Sequence, residues 1–94
     1  MRGEPVSYTI PRPKGDYRWV PETSGIFRLY QGDRIVYVGQ TSNLRARLIR
    51  LESEMLYWGA YDYKSTVGVH TRDREAMGKR AIVYNDPTRN LRRE

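Results

Sequence analysis

The chain has 94 residues, 38% of them hydrophobic, with a formal net charge of +6 and a mean hydropathy of -0.80. That is one small domain with a modest core, and no apolar run approaches the roughly 20 residues that span a bilayer. The absence of cysteine excludes a disulfide scaffold and thiolate chemistry, and a single histidine, His70, excludes a multi-histidine metal site.

Four of the five prolines fall within residues 1–24, and Pro11-Arg12-Pro13-Lys14-Gly15-Asp16 cannot hold a helix. Residues 1–24 read as an arm over the core, with Val6–Ile10 as a short edge strand. Met1–Ile10 carries no basic segment followed by an apolar one, so no secretory signal is expected. These features point to an intracellular, cytoplasmic domain without a membrane partner.

Residues 25–94 form the domain proper. Gly25–Tyr30 and Ile35–Gly39 are dense in β-formers, and Gly32-Asp33 between them suits a tight turn, so a β-hairpin is predicted. Gln40–Asn43 follows, with Thr41 or Ser42 as the expected helix cap. Leu44, Leu48, Leu51 and Met55 then recur at i, i+4, i+7 and i+11, one face of a helix. Tyr57–Tyr61 reads as a loop and Ser65–Thr71 as a third strand. From Arg72 onward a second helix is predicted, weakened by Gly78, and Asn85-Asp86-Pro87 ends it. The fold class is α+β: a small three-stranded antiparallel sheet flanked by helices.

Arginine greatly outnumbers lysine, of which there are only Lys14, Lys64 and Lys79. The basic balance points to a polyanion, nucleic acid before membrane, and the planar guanidinium suits phosphate. The bland alternative is that arginine excess reflects composition alone. The strand ending at Gly39 and the helix beginning just after it form a candidate phosphate site, because a helix start presents unpaired N–H groups. Arg47 lies at the edge of the stripe that should face the sheet, with Arg50 on the same side. It either snorkels to solvent or is held for a purpose. Arg45 points away and is expected to be solvated.

Gly25-Ile26-Phe27 and, at the matching interval, Tyr37-Val38-Gly39 resemble the two halves of the GIY-YIG nuclease signature. The resemblance spans residues 24–90. It implies a stand-alone minimal domain that hydrolyses phosphodiester bonds in DNA with one Mg²⁺ or Mn²⁺. It places the catalytic arginine at Arg47, the metal-binding glutamate at Glu75, the second signature tyrosine at Tyr37, and the late asparagine at Asn90 in preference to Asn85. It also implies phosphate or DNA contacts from Gly39, Arg45 and Arg50, with the Arg-rich tail Arg89–Arg93 adding others.

Two positions depart from the family pattern. Phe27 stands where the family has its first tyrosine, and Leu51 where it often has His or Tyr. Phenylalanine carries no hydroxyl, so the base must come from elsewhere: His70, Tyr30, Lys64 and Lys79 are candidates, and histidine is the side chain suited to proton transfer near neutral pH. For Glu75 the ordinary reading is an acid favoured near a helix start.

A domain this small would need a homodimer or a recognition partner for sequence selectivity. The rival functions are a weak or inactive module of the same fold that binds DNA or RNA, and a protein-interaction module with incidental basicity.

Overall fold

The β-rich runs become strands in the structure, a computed structural model that describes residues 8–85. In chain order the elements are β1 (Arg12–Pro13), β2 (Gly25–Gln31), β3 (Arg34–Thr41), α1 (Leu44–Glu54), β4 (Ala60–Ser65) and α2 (Thr71–Asn85). The hairpin β2–β3 forms as predicted. Gly32 takes φ +65° at the turn, a conformation glycine adopts without a Cβ penalty.

Among the described residues the sheet has four strands, not the three expected, in the order β1-β4-β2-β3 with every pairing antiparallel. The additional strand is the two-residue β1 on the outer side of β4. Pro13 is tolerated there because an edge strand leaves one row of N–H positions unused. Val6–Ile10 was the expected edge strand. Thr9 does lie along β4, its N–H donating to the Tyr63 carbonyl at 2.8 Å, but the ladder itself forms at Arg12–Pro13. Val6 and Ser7 lie outside the described residues.

The third strand of the hairpin sheet is Ala60–Ser65 rather than Ser65–Thr71. Asp62 and Lys64 make this run look polar, yet both are buried and both face neighbours that accept them. Beyond it the chain turns at Gly68, φ +88°, and leaves Val67 66% exposed.

Helix α1 is capped by Asn43, whose side chain accepts from the Ala46 N–H at 3.0 Å, rather than by Thr41 or Ser42. Thr41 Oγ1 instead accepts from the Asn43 N–H at 3.1 Å and sets the bend before the helix. Leu44, Leu48 and Leu51 pack with Phe27, Leu29, Trp58 and Tyr61 on one face of the sheet. Each such buried side chain contributes about 1.5–3 kcal/mol. Tyr17 and Val20 complete this core, so the arm is part of the packing.

Helix α2 covers the opposite face, where Ala81, Met77 and Ile82 meet Ile26 and Val38. It runs unbroken through Gly78. A Cβ there would lie 2.7 Å from Gln40 Cγ, so glycine is what lets the helix approach β3. No helix among the described residues is long and apolar enough to cross a membrane.

Candidate functional site

The antiparallel register pairs Phe27 with Gly39 and Leu29 with Tyr37, which sets all four on the α1 side of the sheet. Tyr37 is half-buried there, its ring stacked on Phe27 with centroids 5.9 Å apart. Phe27 is fully buried and belongs to the core. Its ring supports Tyr37 and offers no proton-transfer group. Gly39 is buried near the end of β3, which continues through Gln40 and Thr41 before Ser42 and Asn43 lead into α1.

Helix α1 has two different flanks. Arg45 and Glu52 lie on the one against the segment before β2: Arg45 Nε donates to the Val20 carbonyl at 2.8 Å and Nη2 to the Arg18 carbonyl at 3.2 Å. Arg45 also sits 3.7 Å from Glu22. It is thus a clamp on the arm and not the solvated residue expected from helical spacing. Its fork was a candidate for phosphate, but two of its nitrogens are spent on backbone carbonyls.

Arg47 projects from the opposite flank of α1. Its side chain is 24% exposed and its Nη1 lies 3.7 Å from Glu54 Oε1. Arg50 is more exposed and pairs with the same carboxylate at 3.5 Å.

Glu75 is exposed on α2. Its neighbour Arg74 donates from Nε to Gln40 Oε1 at 2.8 Å, which fixes this turn of α2 to the end of β3. The Arg47 N–H in turn bonds the Asn43 carbonyl at 3.0 Å. Asn43 is thus bonded to the turn of α1 that bears Arg47, and Gln40 near the end of β3 to the turn of α2 that bears Glu75. The two helices lie on opposite faces of the sheet.

The other candidates fall elsewhere. His70 is exposed at the start of α2, where Nδ1 accepts from the Arg72 N–H at 3.3 Å and its carbonyl from the Arg74 N–H at 2.9 Å. Tyr30 lies on the α2 side, its hydroxyl donating to Asp62 Oδ2 at 2.8 Å. Asn85 ties the end of α2 to β2, accepting from Arg28 Nη1 at 3.3 Å. Lys64 is buried with its ammonium 4.8 Å from the Tyr8 ring centroid, and Lys79 is exposed on α2. Asn90 and the tail Arg89–Arg93 lie outside the described residues.

The strongest polar feature, the pair Arg28–Asp62, is one that no motif in the sequence marks. Arg28 and Asp62 are direct cross-strand partners. Arg28 Nε and Nη2 donate to Asp62 Oδ1 and Oδ2 at 2.8 and 2.6 Å, a bidentate pair with Asp62 1% exposed. The guanidinium also lies 3.5 Å from the Tyr8 ring centroid. Burial opposes its charge, but the hydrogen bonds and charge of Asp62 prevail and raise its pKa above the ordinary value. Arg28 sits inside a strand-forming run, but Asp62 lies in a stretch that does not read as a strand, so the pair becomes legible only with β4 and its register.

Among the described residues no group of three or more His, Cys, Asp or Glu side chains is placed to hold a metal. Mg²⁺ does not require one, since it keeps several waters and takes one or two carboxylates together with substrate phosphate. The exposed carboxylate of Glu75 fits that mode and no tighter cage. Searches against family models, curated proteins and solved structures find no match to this chain.

Proposed function

We propose that this domain is a GIY-YIG-type endonuclease that hydrolyses phosphodiester bonds in DNA. The observation that supports it most is that Tyr37 lies on the face of the sheet covered by α1, the helix of Arg47, while the turn of α2 bearing Glu75 is bonded to Gln40 on the same strand as Tyr37. In this reading Arg47 donates to the phosphate oxygens as negative charge grows on them. Tyr37 orients the phosphate or the attacking water through its hydroxyl, and the buried Phe27 ring holds Tyr37 in place. Glu75 holds one Mg²⁺ or Mn²⁺, which supplies charge neutralisation at the scissile phosphate. His70, exposed at the start of the helix that carries Glu75, is the candidate base. Neither Tyr30 nor Lys64 suits that role, because the Tyr30 hydroxyl is given to Asp62 and the Lys64 ammonium is buried against the Tyr8 ring.

A second reading has one observation in its favour. Phe27 is buried and has no hydroxyl, so the domain would bind nucleic acid without cutting it.

Supercoiled plasmid incubated with the protein and Mg²⁺ or Mn²⁺ separates the two. Nicking that disappears in EDTA, in Glu75→Ala and in Arg47→Ala supports the nuclease. DNA that is retarded but intact supports the binder. No retardation at low salt removes both, because phosphate contacts are strongest there.

A further inference from the structure

Glu54 closes α1 with its carboxylate between two arginines. Oε1 lies 3.7 Å from Arg47 Nη1, and Oε2 lies 3.5 Å from Arg50 Nε. The three residues follow i, i+3 and i+7, one side of the helix.

Helix energetics does not account for this acid. A carboxylate in the last turn opposes the macrodipole, and an arginine preceding a glutamate at i, i+4 is the weaker order of that pair. Both contacts are longer than a good charge-assisted hydrogen bond, and the Glu54 and Arg50 side chains are 48% and 67% exposed. Such contacts are weak and exchange readily.

What the arrangement does provide is two guanidinium groups turned toward two oxygens on one central atom with a single negative charge. A phosphodiester offers the same pattern in its two nonbridging oxygens. We infer that Arg47 and Arg50 form a two-arginine seat for a DNA phosphate, and that Glu54 occupies this seat in the free protein as a competing anion. This rests on the nucleic-acid reading above and deepens it. Arg50 becomes a second phosphate contact, and Glu54 becomes a residue that tunes affinity, since DNA must displace its carboxylate before either arginine is fully engaged.

The test is fluorescence anisotropy with a short fluorescein-labelled DNA duplex, at low salt and in EDTA so that no cleavage intervenes. Glu54→Gln removes the competing charge and keeps the shape. Asp33→Asn, at the hairpin turn on a different element, removes the same charge elsewhere and reports the generic effect. We expect Glu54→Gln to tighten binding by about three- to tenfold, as two weak ion pairs are worth, and beyond the gain from Asp33→Asn. The gain should vanish when Arg47→Gln and Arg50→Gln are also present. Thermal unfolding confirms that each variant is folded. If the wild-type protein binds but Glu54→Gln gains no more than Asp33→Asn, or gains equally without the arginines, the inference is overturned and the DNA-binding reading stands. If the wild-type protein does not bind, that reading falls and the inference falls with it.

Discussion

Gly25 gives the sharpest test of how the candidate site is built. A Cβ at this position would lie 2.5 Å from Leu44 Cδ1, 2.8 Å from Leu44 Cγ and 2.6 Å from the Lys64 carbonyl oxygen. Neither neighbour can yield easily. Leu44 is fully buried as the first residue of α1, and Lys64 is paired with Ile26 in the ladder. Overpacking a core costs about 1–3 kcal/mol, and a clash with paired backbone puts Gly25→Ala near the upper end. At about 4–8 °C per kcal/mol for a domain of this size, the melting temperature should fall by roughly 12–24 °C. Circular dichroism during heating reads this directly. Gly59→Ala is the control: nothing lies within 4 Å of its Cβ position, so its melting temperature should be unchanged or slightly raised. Because the clash displaces the first turn of α1, Gly25→Ala should also reduce any cleavage without altering Arg47 itself. A loss below about 1 kcal/mol would show that α1 is not seated on Gly25.

Three further outcomes follow from the structure. Asp62→Ala strands the Arg28 guanidinium and should cost about 3–5 kcal/mol in urea unfolding. Phe27→Tyr puts a hydroxyl into a fully buried position and should cost about 1–3 kcal/mol, read by thermal unfolding, with no gain in cleavage. Burial and the nearby Asp16 charge push the Tyr61 phenol up to about 12, while the unfolded chain releases that proton near 10.0. The native state therefore binds the extra proton across that interval, so stability is complete below pH 10 and falls as pH rises toward 12. Equilibrium unfolding at several alkaline pH values should show the decline, and Tyr61→Phe should flatten it.

The hairpin and α1 were legible because each is carried by one local pattern: β-formers around Gly32-Asp33, and leucines at helical spacing. β4 was not, since Asp62 and Lys64 make a buried strand look solvated until Arg28 and Tyr8 are known to face them. Gly78 misled in the opposite direction. It reads as a helix breaker by propensity, but it is the residue that admits Gln40 against α2. Of the site, the placement of Arg47 at the edge of the buried stripe followed from spacing alone. The role of Arg45 did not, because its partners are backbone carbonyls in the arm, far away in sequence. That α1 and α2 lie on opposite faces depends on strand register and on which face each helix covers, and no motif spacing encodes either.

In the proposed nuclease Arg47 and Glu75 serve one metal-and-phosphate centre near Gln40–Asn43. Titration of ¹⁵N-labelled protein with Mn²⁺ reads this, because a bound paramagnetic ion broadens the resonances closest to it. The amides of Glu75 and of Gln40–Asn43 and the Arg47 Nε–H signal should broaden together at low Mn²⁺. Gly32 and Asp33 at the far end of the hairpin should stay sharp, and Glu75→Ala should abolish the effect. Broadening confined to α2, with the Arg47 Nε–H signal sharp, would contradict a shared centre.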